Sequence, residues 1–296
     1  MANSAAISGA HQAVRPPGAA PSGGVLGQLL AKTHALRRPL VMGVLNVTPD
    51  SFSDGGQFVE PAAAIAHARH LVAEGADIID VGAESTRPYG GMQPISADDE
   101  RARLEPVLPA AVSLGIPVSI DTMKASVAAW ALDAGAGIVN DVWGLQRDPD
   151  MARVVAEHGA PVIIMHNRET ADPSIDIIAD VSEFFSRSLE IAWNAGIARD
   201  RVVLDPGIGF GKTAEQSIAC IARLHEWSGF EMPLLVGASR KRFIASIAPS
   251  QPQQRLGGSL AAHVLAAENG ADIIRTHDVA PTVQALAVAA AIRQAR

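Results

Sequence analysis

From Pro39 onward the chain alternates short, almost unbroken apolar runs with longer Ala-rich stretches whose apolar residues recur at helical spacing. The runs, such as "PLVMGVLNV", "DIIDVGA" and "PVIIMH", predict strands at 39–47, 77–83, 117–122, 137–142, 161–166, 201–206, 233–239 and 272–277. The stretches between them predict helices at 61–74, 98–114, 124–135, 149–158, 180–196, 214–228, 256–269 and 281–295. Strands this apolar suit a parallel sheet covered by helices better than an antiparallel sheet with one wet face. A faint internal echo supports the count. "EGADIIDVGA", "AGAGIVNDVW", "HGAPVIIMHN" and "NGADIIRTHD" each set a Gly-Ala turn between a helix end and the next strand, where glycine accepts positive φ.

Eight such units in about 250 residues have the size and count of a parallel eight-stranded (β/α)8 TIM barrel. An open doubly wound sheet more often stops at about five to seven strands and leads with a Gly-rich first turn. Here the first turn, "NVTPDSFSDGG", is polar but carries no dinucleotide fingerprint.

Composition then narrows the field. A chain of 296 residues that is 48% hydrophobic buries one large domain, assigned to 37–296. Residues 1–36 read as a mostly disordered or extended tail. The first 24 are rich in Ala, Gly, Pro and Ser and lack the apolar core of a secretory signal. With 24 basic against 31 acidic side chains and a net charge of -7, binding of nucleic acid by general electrostatics is not expected. The single cysteine, Cys220, excludes an internal disulfide framework and suits a reducing, cytoplasmic compartment. No run approaches the roughly 18 apolar residues of a membrane span.

In a barrel the chemistry sits where the strands end. Those ends are Asn46; Glu84 to Arg87; Asp121; Asn140 and Asp141; His166 and Asn167; Asp205; Ser239 to Lys241; and Arg275 with His277. One such residue alone reads as a turn former or helix cap. Eight polar ends around one rim ask for more, because aspartates within "VSID", "IVND" and "VVLD" are costly to bury unless something donates to them. Asp121, Asn140 and Asp205 offer the acceptors expected by a flat, nitrogen-rich heterocycle. Arg87, Lys241, Arg275 and His277 offer cations for phosphate. Asn46 and the small oxygens after it suit a magnesium ion held through oxygen and water. "PGIGFGKT" imitates a P-loop, but Pro206 stands where the first glycine is required. Its glycines either let backbone approach a planar ligand beneath Phe210 or give simple loop freedom. His166 and His277 end strands, whereas His67, His70, His158, His225 and His263 fall in helices, so no zinc site is assigned.

Taken in order, "GVLNVTPDSFSDGG", "DVGAESTRP", "SIDTMK", "IVNDV", "LDPGIGFGK", "LLVGASRK" and "IIRTHDV" resemble the bacterial dihydropteroate synthases from about Pro39 to the C-terminus. The resemblance implies a TIM barrel that condenses 6-hydroxymethyl-7,8-dihydropterin diphosphate with para-aminobenzoate, with Mg2+ as cofactor, and that sulfonamides compete with para-aminobenzoate. It places Asp121, Asn140, Asp205, Phe210, Gly237 and Lys241 on the pterin, although charge alone puts Lys241 among the phosphate cations. It places Asn46, Arg87, Arg275 and His277 on the diphosphate, Asn46 on the metal, and Thr86, Pro88 and Ser239 on para-aminobenzoate. Asp121, Arg87, Lys241 and His277 are the implied catalytic set. The family also implies a homodimer and two mobile loops, after Asn46 and around "STRPYGG", which explains a polar, Gly-rich turn directly after an apolar strand. "MHNRETADPSID" departs from the family's M-H-x-x-G pattern at Arg168 and Glu169, and Ala83 and Tyr89 stand where Gly is frequent. Two other readings stay open: a pterin-binding methyltransferase, which has no use for a diphosphate grip, and a non-catalytic paralogue.

Overall fold

The computed structural model describes residues 24–48, 61–84 and 94–295. Thr86, Arg87 and Pro88 lie outside the described residues. All eight strands form: β1 (Leu40–Asn46), β2 (Ile78–Gly82), β3 (Val118–Asp121), β4 (Ile138–Asp141), β5 (Val162–Met165), β6 (Val202–Asp205), β7 (Leu235–Val236) and β8 (Ile273–Thr276). They pair in parallel in the order β6-β5-β4-β3-β2-β1-β8-β7, and a parallel bridge from Leu204 to Leu234 brings β6 against β7. The barrel is the one expected.

The helices are α1 (Val25–Leu36), α2 (Pro61–Ala73), α3 (Ala97–Leu104), α4 (Leu108–Val112), α5 (Ala125–Asp133), α6 (Met151–His158), α7 (Ile177–Asn194), α8 (Ala214–Ala222), α9 (Arg242–Ile247), α10 (Leu256–Glu268) and α11 (Val279–Gln294). Three details differ from expectation. The single helix expected over 98–114 is two, because Pro106 and Pro109 each remove a backbone donor. The six-residue α9 was not anticipated. The third is a correction: Val25–Leu36, assigned to the tail, is helical. Arg37 ends it in a left-handed conformation, and Arg38 ties it to the barrel through a 2.8 Å ion pair with Asp77, which also accepts the Val41 N–H at 2.9 Å.

Strand alternation explains the two cores. Ile79 and Val81 of β2 face outward with the helices. Ile78 faces inward in a separate cluster with Leu40, Met42, Ile138, Ile163, Val203, Leu235 and Ile273, all at the entry ends of their strands. Leu26 and Leu29 of α1, each 2% exposed, join that cluster and seal the lower mouth. Two residues further along the same inward rows, Ile78 becomes Asp80, Ile138 becomes Asn140, Val203 becomes Asp205 and Ile273 becomes Arg275. The interior turns from apolar to polar within one layer.

Candidate active site

The polar layer is organised around Arg275. Its Nε donates to Asp80 Oδ2 at 2.6 Å, and its Nη2 to Asp121 Oδ2 at 2.8 Å. Asn140 Nδ2 donates to the same Asp80 oxygen at 3.0 Å. Three acceptors are left over: Asp80 Oδ1, Asp121 Oδ1 and Asn140 Oδ1 are buried and have no hydrogen-bond partner among the described residues. Each unmet acceptor costs roughly 1–3 kcal/mol, so the cluster is poised for donors that the fold itself does not supply. Burial, reinforced by Asp80, pushes the Asp121 carboxyl well above the carboxylate range even though Arg275 opposes it. Burial works against the Arg275 charge as well, but Asp80 and Asp121 more than compensate and its pKa rises.

The loop after β6 supplies the next wall. Asp205 is 4% exposed, and its Oδ1 accepts the Gly207 N–H at 2.7 Å. Burial pushes its pKa up to about 6, against the pull of that N–H and of Lys241, Arg275 and Lys212. Further along the loop, Lys241 Nζ lies 3.9 Å from the centre of the Phe210 ring, a cation–π contact that pairs the β6 and β7 loops. Gly237, which continues the inward row of β7, lies against the Arg275 side chain.

On the rim, Ser239 Oγ meets His277 Nδ1 at 3.0 Å and accepts the His277 N–H at 3.2 Å. Arg240 adopts a left-handed φ of 57° between Ser239 and Lys241, and its guanidinium turns back to Asp278 at 2.5 and 3.0 Å. The β7 and β8 loops are thereby clasped together. Asn46 is half-buried at the end of β1. Asp121, Asn140, Asp205, Phe210, Gly237, Lys241 and Arg275 are thus gathered in one chamber, with Ser239 and His277 together on its rim.

Other strand-end residues have structural work. Asp141 accepts the N–H groups of Trp143 at 2.9 Å and Leu145 at 2.7 Å, holding the turn after β4, while burial pushes its pKa up to about 6. Glu84 pairs with Lys124 at 2.5 Å and accepts the Ile95 N–H at 3.2 Å. Asp80 was missed by reading only strand ends. The signal was present, since a carboxylate at the centre of "DIIDVGA" shares the inward face of Ile78.

A family model described as a pterin binding enzyme matches residues 42–277. The dihydropteroate synthase of Bacillus subtilis (strain 168) is 45% identical over 243 residues, covering 82% of this chain and 84% of that protein. The chain belongs to the dihydropteroate synthase family. Among solved synthases, that of Xanthomonas albilineans with 4-aminobenzoic acid superposes with a TM-score of 0.83 at 43% identity, over 87% of this chain and 94% of that one. The same enzyme in complex with 7,8-dihydropteroate gives 0.80 at 41%, over 87% and 95%. The family model's match therefore includes every described residue of the chamber and of its rim.

Proposed function

We infer that the protein carries out the dihydropteroate synthase reaction: the amine of para-aminobenzoate displaces pyrophosphate from the methylene carbon of 6-hydroxymethyl-7,8-dihydropterin diphosphate. The observation that carries the reading is the set of unmet acceptors, Asp121 Oδ1 and Asn140 Oδ1, beside the half-buried Arg275 guanidinium at the mouth of a barrel whose family is the synthases. A pterin edge is rich in N–H donors and matches Asp121, Asn140 and Asp205. The Phe210 ring, with Lys241 over it, offers a flat wall for the bicycle.

In the displacement the C–O bond to the diphosphate breaks, a C–N bond to the arylamine forms, and the amine loses a proton. As pyrophosphate departs, the methylene carbon gains positive character that the pterin ring shares. An ionised Asp121 stabilises that charge, and Arg275 and His277 meet the leaving group. Most of the remaining rate comes from holding amine and carbon in line. Arg87, Thr86 and Pro88 complete the proposed diphosphate and para-aminobenzoate contacts, with Ser239 on the para-aminobenzoate side.

Among the described residues no group of three or more His, Cys, Asp or Glu is placed to hold a metal. That donor set fits Mg2+ carried by the diphosphate better than a protein cage, because Mg2+ keeps several waters and takes one or two protein oxygens, here from Asn46. When bound, the ion neutralises charge on the leaving group. The reading also includes a homodimer through exposed Leu265, Val288 and Ile292 of α10 and α11, and a cytoplasmic location consistent with the buried free thiol of Cys220. Light scattering of the purified protein tests the first.

The decisive assay is pyrophosphate release from the dihydropterin diphosphate with Mg2+, with and without para-aminobenzoate. Release that needs para-aminobenzoate and collapses in Asp121→Asn supports the synthase. Pterin binding without release favours the non-catalytic paralogue.

A further inference from the structure

The rejected P-loop lookalike leaves one residue without a task. Lys212 is 3% exposed, an unusual place for an ammonium, and it lies outside the ligand-facing set. Its Nζ donates to His166 Nδ1 at 2.6 Å and to the Phe210 carbonyl at 3.2 Å. His166, itself 1% exposed, presents its other nitrogen to Asp180 Oδ2 at 2.9 Å, and Asp180 Oδ1 accepts from Arg168 Nη1 at 2.6 Å. This order fixes the tautomer: the imidazole is neutral, Nε2–H donates to Asp180, and Nδ1 accepts from Lys212. Burial and the neighbouring Lys212 lower the His166 pKa, in agreement with the geometry.

The backbone makes the same connection. Gly207 has a φ of +64°, and a Cβ there would lie 2.0 Å from the His166 carbonyl oxygen. Gly211 has a φ of +54°, and a Cβ there would come within 2.4 Å of Arg168. The β6 loop is therefore laid on the β5 loop at both of its ends, and the Lys212 ammonium pins the span between them. That span carries Phe210, and Lys241 rests on the Phe210 ring. The divergent Arg168 takes part as the outer counter-charge of Asp180.

We propose that Asp180, His166 and Lys212 are positioning residues that hold the Phe210 wall of the pterin chamber through the Lys212 contact to the Phe210 carbonyl. The inference rests on the synthase reading. The side-chain hydrogen bonds of the three run to one another, to Arg168 and to the Phe210 carbonyl, and not to the residues proposed to meet the reacting atoms. Their effect falls on how well the pterin is held and less on the chemical step, because the wall shapes the chamber before para-aminobenzoate attacks.

The test compares Lys212→Met, His166→Leu and His166→Asn in the full-length protein. Asn places an acceptor near the position of Nδ1, whereas Leu removes both ring nitrogens at similar volume. The readouts are thermal midpoint, kcat, KM for the dihydropterin diphosphate, and the Kd of 6-hydroxymethylpterin measured by its own fluorescence. Lys212→Met and His166→Leu are expected to raise that KM and Kd at least about tenfold with kcat within about threefold, and His166→Asn to return both to within about threefold of wild type. A KM and Kd within twofold of wild type in the first two variants overturns the proposal, as does His166→Asn behaving like His166→Leu. If Lys212→Met does not fold, the two His166 variants decide alone. A wild-type protein that releases no pyrophosphate refutes the synthase reading and leaves the Kd comparison to judge the wall.

Discussion

At the lower mouth of the barrel, Leu40, Ile78, Ile138 and Ile273 point inward with Leu26 and Leu29 laid across them. Two residues further along the same strands stand Asp80, Asn140 and Arg275, with three buried oxygens unmet among the described residues. The lower layer gains stability from every apolar contact it makes. The upper layer gives some of that stability up, holding like charges together with acceptors that no described side chain satisfies. Substitutions below should therefore change stability without changing kinetics, and substitutions above should do the reverse.

Arg275→Ala is expected to break that division most severely. It removes the proposed diphosphate cation and also leaves Asp80 and Asp121 buried without their counter-charge. Loss of one partner from a buried ion pair costs about 3–5 kcal/mol, and kcat/KM for the dihydropterin diphosphate should fall at least about a thousandfold. Steady-state kinetics and urea titration on one preparation check both. A kinetic loss below tenfold with an unchanged urea midpoint would remove Arg275 from the centre of the site.

Asp121→Asn should separate the two properties. Ionisation of this carboxyl is disfavoured by burial and by Asp80, so its neutral analogue should fold at least as well as wild type. Activity should nevertheless drop by about a hundredfold, the size of effect typical for one electrostatic group near a developing charge. A less stable but fully active variant would contradict the assignment.

The mirror experiment is Leu29→Ala. The side chain is 2% exposed within the lower cluster, and truncating a buried leucine costs about 2–5 kcal/mol. Both KM values and kcat should stay within about twofold. If stability does not change, α1 is an ornament on the barrel and not its plug.

The upper layer was more legible in the sequence than the lower one, for physical reasons. Asp121, Asn140 and Asp205 stand out because each is a polar interruption at the end of an apolar run. The strands were found because residues such as Ile78 and Ile79 are buried on both faces and leave no ambiguity of period. The helix carrying Leu26 and Leu29 offered one short apolar stripe beside a low-complexity segment, and nothing in its own spacing declares what it covers. Asp80 escaped because it sits inside a strand, and Lys212 because its motif failed as a phosphate loop. Both act through other side chains, and such partners become visible only when the chain has brought Asp80 to Arg275, or His166 to Lys212.

The smallest expected effect distinguishes two buried aspartates, Asp141 and Asp205, whose pKa values are each raised to about 6 from an ordinary 3.8. A carboxyl with a raised folded pKa binds more protons folded than unfolded, so its contribution to stability is greatest below about pH 4, falls as pH climbs towards 6, and is flat above. The slope is at most about 1.4 kcal/mol per pH unit for each group. Both should contribute it, and Asn at either position should flatten the corresponding part of the unfolding free energy between pH 4 and 6. Ligand affinity should part them. Asp205 faces the chamber and is proposed to accept pterin N–H groups when ionised, so pterin affinity should rise as pH climbs towards 6, by about tenfold per unit at most for this group, and that part of the rise should be lost in Asp205→Asn while the Asp121 carboxyl, itself raised by burial, keeps its own. Asp141 spends its oxygens on Trp143 and Leu145, so Asp141→Asn should leave the rise intact. A pterin titration whose rise shrinks in Asp141→Asn but not in Asp205→Asn would reverse the two roles, and would move the ligand's donors from the β6 loop to the turn after β4.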